Sequence, residues 1–252
     1  MDRQDVAIMF SGGRDSLALY CLAMVGLHPE VPKARNIHIL HMLNGMGRFP
    51  KFPKDRLEIA KEILERQVPV NEKAPETSYV ELDVGRLFQG LWLNNYESLM
   101  PRFGGKNLVC VACKLAMHTR AILYCINNYV PVLLVGYAKR QSCYPEQTTV
   151  FMEKLADFSQ SLGITTKYPV YEEFETEEIA RHFLEDHGLP STGGGERKCL
   201  FCQTLTTATE NEIGDYLDYM LPRIERYVEC MQGGRIKEAA KCFLSDKLSE
   251  IT

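Results

Sequence analysis

The chain has 252 residues, with 29 basic and 33 acidic side chains, 45% hydrophobic residues and 25% charged. These proportions exclude a disordered, collagenous or coiled-coil chain and describe a globular protein of one to two domains, long enough to fold without disulfide staples. The charged start Met1-Asp2-Arg3-Gln4-Asp5 leads into an apolar run too short for a signal peptide. The uninterrupted apolar stretches, 17–25 and 130–135 among them, fall far below the ~20 residues of a membrane span, so a cytoplasmic protein with no membrane partner is expected. In that reducing compartment nine cysteines point to metal ligation, catalysis or burial and away from disulfides.

Residues 6–10 form a short apolar run that ends at Ser11-Gly12-Gly13, and 17–25 resume with helical spacing: strand, glycine turn, helix. Residues 36–42 read as a second buried strand. Residues 54–68 read as an amphipathic helix with Leu57, Ala60, Ile63 and Leu64 on one face and Glu62 and Arg66 paired on the other. A third strand at 79–82, a helix at 114–127 and a strong fourth strand at 130–137 follow. A weaker fifth strand is expected around Pro169, then a helix over 176–187 with Thr176 as its cap and Gly188-Leu189-Pro190 as its stop. The loop Gly193-Gly194-Gly195 leads to Cys199, and a helix over 213–231, interrupted near Pro222 and closed by Gly233-Gly234, precedes a last helix at 236–248. The alternation predicts an α/β fold, a Rossmann-like parallel sheet with helices on both faces, plus a helical C-terminal region. Residues 1–190 are expected to form the α/β domain, and 191–252 the second cysteine pair and the C-terminal helices.

Charge is unevenly spread. Residues 98–145 hold no acid but six bases, Arg102, Lys106, Lys114, Arg120, Lys139 and Arg140, whereas 146–190 hold ten acids and three bases. A cationic surface facing a polyanion, or chance clustering on a solvated face, would both give this pattern.

Phe10-Ser11-Gly12-Gly13-Arg14-Asp15-Ser16 lies between the first strand and its helix, at the carboxyl end of a sheet strand, where open α/β folds bind ligands. Consecutive glycines can turn backbone N–H groups inward beside a helix N-terminus, which makes an anion nest. No Gly-Lys-Ser/Thr string is present, so this is not the P-loop of that type. Ser-Gly-Gly-x-Asp-Ser in this frame resembles the PP-loop of the N-type ATP pyrophosphatases (adenine nucleotide alpha hydrolase, or HUP, type), which cleave ATP between its α and β phosphates and adenylate a substrate. The resemblance implies that Ser11, Gly12, Gly13 and Ser16 hold pyrophosphate, with Gly136 also at the nucleotide. It gives Asp15 a catalytic part in positioning Mg2+ or the phosphates.

Cys110-Val111-Ala112-Cys113 and Cys199-Leu200-Phe201-Cys202 are two CxxC pairs, a strong metal signal in a reducing compartment. Four thiolates suit tetrahedral zinc and an iron–sulfur cluster alike. With Arg120-Ala121-Ile122-Leu123-Tyr124 and Leu133-Leu134-Val135-Gly136, the pairs look like the TtcA-type tRNA thiolases, over about residues 6–227. That resemblance implies ATP, Mg2+ and a [4Fe-4S] cluster on Cys110, Cys113 and Cys199. Cys202 is then either a catalytic spare thiol or a fourth ligand, and Zn2+ is the alternative metal. Its implied partners are tRNA and a sulfur donor protein, with a homodimer left open. The chain departs from the family after the fourth strand: Gly136-Tyr137-Ala138-Lys139-Arg140-Gln141 stands where Gly-His and an acidic pair are usual.

The remaining Cys21, Cys125, Cys143, Cys230 and Cys242 are expected to pack as small hydrophobes. Arg120 could reach a phosphate, and His41 is a candidate base. Phe88, Trp92 and Tyr96 fall near helical spacing and are expected in the core, with a base-stacking platform as the other reading. The expected activity is adenylation of a substrate oxygen for replacement by sulfur on a tRNA base. Two alternatives stand beside it: a small-molecule acceptor with structural zinc, as in 7-cyano-7-deazaguanine synthases, and a non-catalytic nucleotide- or RNA-binding module.

Overall fold

Apolar runs without alternation suit strands whose two faces are both covered. The structure, a computed structural model, describes residues 3–26, 28–45, 51–104, 108–191 and 207–243. There β1 (Gln4–Met9), β2 (Ala34–Leu43), β3 (Glu76–Asp83), β4 (Val132–Val135) and β5 (Thr165–Lys167) form one sheet in the order β3-β2-β1-β4-β5. Every pairing is parallel, with Ile8 opposite Ile39 on one side and Leu134 on the other. The sheet is parallel and Rossmann-like, as expected.

The helices are α1 (Arg14–Val25), α2 (Phe52–Glu65), α3 (Gly85–Leu91), α4 (Tyr96–Phe103), α5 (Leu108–Asn127), α6 (Thr149–Ser161), α7 (Glu177–Asp186), α8 (Glu210–Gln232) and α9 (Ile236–Lys241). They cover both faces. Val6, Ile8, Ile39 and Leu134 pack under α1, α2 and α7, whereas their neighbours Ala7, Leu40, Leu133 and Val135 pack under α3 to α6 and α8. β1, β2 and β4 thus each feed two cores from their two faces.

Several boundaries differ from the sequence reading, each for a local reason. β5 closes at Lys167, before Pro169, which has no N–H to give the ladder. α6 was not anticipated, although Phe151, Met152, Leu155 and Phe158, all buried in it, recur at helical spacing. α5 begins six residues earlier than 114 and so carries Cys110 and Cys113 in its opening turns. By length and composition α5 could cross a membrane, although Lys114 and Arg120 interrupt its apolar run; here it is a core helix with Leu115, Ile122 and Leu123 buried. α8 runs through Pro222 without a break. The side chain of Arg223 donates to the Tyr219 carbonyl at 2.9 Å, on the turn where a proline disturbs the helical ladder. α8 also starts with a reciprocal capping box between Thr209 and Glu212.

The core face of α5 holds a buried polar pair. His118 is fully buried, its Nε2 lies 2.9 Å from the Tyr137 hydroxyl, and its Nδ1 is buried with no hydrogen-bond partner. Burial first, and the Lys114 charge second, push His118 down to about 3 from 6.5, so the ring is neutral. Between those two values the unfolded chain binds the extra proton and the folded chain does not. Stability linked to His118 is therefore complete above pH 6.5 and is lost as pH falls toward 3. Urea unfolding across this range should show wild type losing up to about 1.4 kcal/mol per pH unit relative to His118→Gln. Parallel curves for the two proteins would mean that His118 is protonated in the fold.

Candidate active site

From β1 the chain moves outward to β2 and β3, then returns to β4 on the other side of β1, which opens a crevice at the carboxyl ends of β1 and β4. The turn after β1 lies there. Gly12 holds φ at 76°, and a Cβ on it would stand 2.8 Å from the Pro53 Cα at the start of α2, so backbone and space both require glycine. Gly13 is the N-cap of α1 and has no side chain with which to cap it; its own N–H donates to Ser11 Oγ at 3.2 Å. Ser16 donates to the Gly13 carbonyl at 3.0 Å, and its hydroxyl lies 3.3 Å from Ser11 Oγ. The turn sets two hydroxyls and its backbone N–H groups at the positive end of a twelve-residue helix, an arrangement suited to phosphate oxygens.

Gly136, the residue after β4, closes on this turn. A Cβ there would meet Asp15 C and Ser16 N at 3.0 Å, backbone atoms that no rotamer can move aside. Ser11, Gly12, Gly13, Asp15, Ser16 and Gly136 are thus brought together, as the motif implied.

Asp15 is buried, and its carboxylate is held by Arg140 on one oxygen, with Gln141 Nε2 3.4 Å from the other. Burial raises the Asp15 pKa, and the Arg140 guanidinium opposes that rise. Arg140 also donates to the Phe174 carbonyl at 2.8 Å. Sequence reasoning marked Lys139-Arg140 as a departure and missed this buried pair; the signal was a lone acid in one loop facing new bases in the other. Arg14 pairs with Glu177, in the first turn of α7, at 3.1 Å, and Lys139 pairs with Glu172 at 2.7 Å. The bases of 98–145 therefore do not form one cationic face. Arg120 lies within electrostatic reach of Tyr227 on α8, and Lys106 is outside the described residues.

Cys110 and Cys113 stand one turn apart on α5, both partly exposed. Asn44, just past β2, donates to Cys113 Sγ at 3.3 Å, and Lys114 lies 5.6 Å above the ring of Tyr137, the residue after Gly136. These contacts put the cysteine pair on the same sheet edge as the phosphate turn. Two partly exposed thiols at i,i+3 fit two ligands of one thiolate centre. Cys199, Cys202 and Gly193-Gly194-Gly195 lie outside the described residues. Among the described residues no three His, Cys, Asp or Glu side chains are grouped to hold a metal ion.

His41 is fully buried, its Nδ1 3.2 Å from the Phe10 carbonyl and its ring stacked on Tyr79. It braces the backbone that enters the turn and is not placed as a base. Phe88 and Trp92 are core residues, with Trp92 edge-on to Tyr216 at 5.7 Å, and Tyr96 is half exposed beside Trp92. Cys21 and Cys125 are buried, which pushes both thiols up to about 12, and Cys230 is buried too. Cys143 is exposed and Cys242 partly so, against the expectation that they pack.

No family model and no curated protein matches the chain. Among solved structures it is similar to the U34-tRNA thiolase NcsA from Methanococcus maripaludis, determined with its [4Fe-4S] cluster, at 15% identity and a TM-score of 0.48, over 95% of this chain and 73% of that one.

The close contact at residue 136 makes a direct test. Gly136→Ala should lower stability by about 1–3 kcal/mol through overpacking and weaken ATP binding at least tenfold. Gly214→Ala, in α8 with only ordinary contacts at 3.7 Å, should instead raise the melting temperature slightly. Equal behaviour of the two variants would show that the turn tolerates a side chain.

Proposed function

We propose that the chain is an ATP-dependent transferase of PP-loop type, which adenylates an oxygen on a tRNA base and replaces it with sulfur. The observation that carries this reading is that the Ser11–Ser16 turn and the Cys110/Cys113 pair open on one sheet edge, linked through Gly136, Tyr137 and Asn44.

ATP phosphates lie against the N–H groups of the turn and the hydroxyls of Ser11 and Ser16. The positive end of α1 and Arg14 counter the charge that builds on the leaving pyrophosphate. The substrate oxygen attacks the α-phosphorus, and the bond from the α-phosphorus to the oxygen bridging it to the β-phosphorus breaks. Pyrophosphate leaves with the electron pair. Sulfur at the sulfide level then attacks the activated carbon; a C–S bond forms, the C–O bond breaks, and AMP departs with no net oxidation. Asp15 keeps Arg140 in place across the crevice, and Mg2+ enters with ATP. When bound on Cys110, Cys113 and Cys199, a cluster with one open iron would supply a carrier for sulfide, with Cys202 as spare thiol or fourth ligand. A sulfur donor protein would then be a partner. Residues 1–190 bind ATP in this reading, and 191–252 bring the second cysteine pair.

A small-molecule acceptor is the second reading, favoured by the neutralisation of Lys139 by Glu172 and of Arg140 by Asp15. With tRNA, sulfide and ATP under anaerobic conditions, the protein should release AMP and pyrophosphate in equal amounts and yield a thiolated nucleoside. AMP release only with a small heterocycle would select the second reading, and no AMP release with either would end both. After anaerobic reconstitution, Cys110→Ala and Cys113→Ala should each lose most bound iron while ATP affinity stays at the wild-type value. Zinc bound in place of iron, and lost in Cys202→Ala, would make the centre structural.

A further inference from the structure

On the α4 and α8 side of the molecule a groove of about 510 Å3 has no part in the chemistry above. Its walls carry Arg102 from α4 and Tyr219 and Arg223 from α8. Both guanidinium carbons lie over the Tyr219 ring, at 4.1 Å for Arg102 and 3.8 Å for Arg223. Neither arginine has a carboxylate partner among the described residues. Arg223 is fixed further by its bond to the Tyr219 carbonyl at 2.9 Å. Two acids share the groove: Asp218 is neutralised by Lys154 at 2.5 Å, and Asp215 alone remains, so the two arginines dominate the local charge.

Planar guanidinium groups held flat on an aromatic ring keep their N–H edges pointing outward, and those edges match phosphate oxygens two at a time. Tyr219 packs on Phe103 at 5.4 Å, and Phe103 stands five residues before Leu108, where α5 begins. Arg102 and Cys110 are eight residues apart, so no more than about 29 Å of chain separates them. The groove therefore adjoins the start of α5 along the chain, within that reach of the cysteine pair.

We propose that Arg102, Tyr219 and Arg223 form a docking surface for the sugar–phosphate backbone of the RNA substrate, beside the edge where the base is modified. This rests on the RNA reading of the acceptor. Two guanidiniums without carboxylates, spaced by a stacked ring, fit a repeating phosphate chain; a lone small anion would need only one of them.

The test is binding of bulk tRNA to the full-length protein over a salt series, with ATP affinity measured in parallel. Arg102→Ala and Arg223→Ala should each weaken tRNA binding about five- to tenfold at physiological salt and reduce the slope of log affinity against log salt by about 0.7–0.9. ATP affinity should not change, and Tyr219→Phe, which keeps the ring, should bind like wild type. Arg102 is exposed and, among the described residues, makes no hydrogen bond or ion pair beside its stacking on Phe103 and Tyr219, so its variant remains informative if Arg223→Ala unfolds at Pro222. Wild-type affinity and slope in Arg102→Ala would overturn the proposal, as would absence of tRNA binding at low salt. Equal, equally arginine-dependent binding of poly-glutamate would also overturn it and reassign the groove to an acidic protein. Arginine-dependent tRNA binding without AMP release would leave this surface standing and remove the thiolase reading.

Discussion

At residue 136 the backbone carries only a hydrogen toward the first turn of α1, and the rest of the site follows from that. With Asp15 C and Ser16 N 3.0 Å from where a Cβ would be, β4 can end directly against the phosphate turn. The segment after it is then braced from three directions. Gln147 accepts from Ala138 N at 2.9 Å and donates to Gln141 at 2.8 Å, Tyr171 donates its hydroxyl to the Gln147 carbonyl at 3.1 Å, and Lys139 N bonds the Tyr171 carbonyl at 3.0 Å. Arg140 is delivered to Asp15 by this scaffold and not by its own flexible stem.

The two arginines at the turn are held with different strength, which decides their parts. Arg14 pairs with Glu177, an exposed carboxylate, and such surface pairs contribute about 0.2–1 kcal/mol. Arg140 and Asp15 are both nearly excluded from solvent, and separating a buried pair costs on the order of 3–5 kcal/mol. Arg140 therefore stays with Asp15 and fixes the width of the crevice.

The phosphate turn was legible because its signals are local: an apolar run, Ser-Gly-Gly, then helical spacing. The parallel sheet with helices on both faces was legible for the same reason, since strands that alternate with helices favour right-handed parallel crossovers. The position of the cysteines on α5 was less so. Leu108, Val111, Ala112 and Leu115 already recur at helical spacing around them, but a CxxC reads as a metal loop before it reads as a helical turn. The acid-free stretch misled most. It runs through α4, α5, β4 and the turn after it, elements that point different ways, and the acids that answer two of its bases, Arg140 and Lys139, are the distant Asp15 and Glu172. Composition along the chain carries no information about such partners.

Parallel connectivity explains why phosphate and sulfur groups can share one edge. Every strand of a parallel sheet leaves at the same side, so residues 11–16, 44 and 136–141, remote in sequence, follow carboxyl ends of β1, β2 and β4 in space. A helix that returns antiparallel to those strands must begin at that edge, and α5 begins there with Cys110 and Cys113. The Asn44 amide 3.3 Å from Cys113 shows the consequence, because a sulfur used at a metal or as a nucleophile is steadied by N–H donors around it. The edge that presents the N–H groups of the Ser11–Ser16 turn therefore also presents one to sulfur. In the proposed reaction the activated carbon and the sulfur of Cys110 and Cys113 would meet along this one edge.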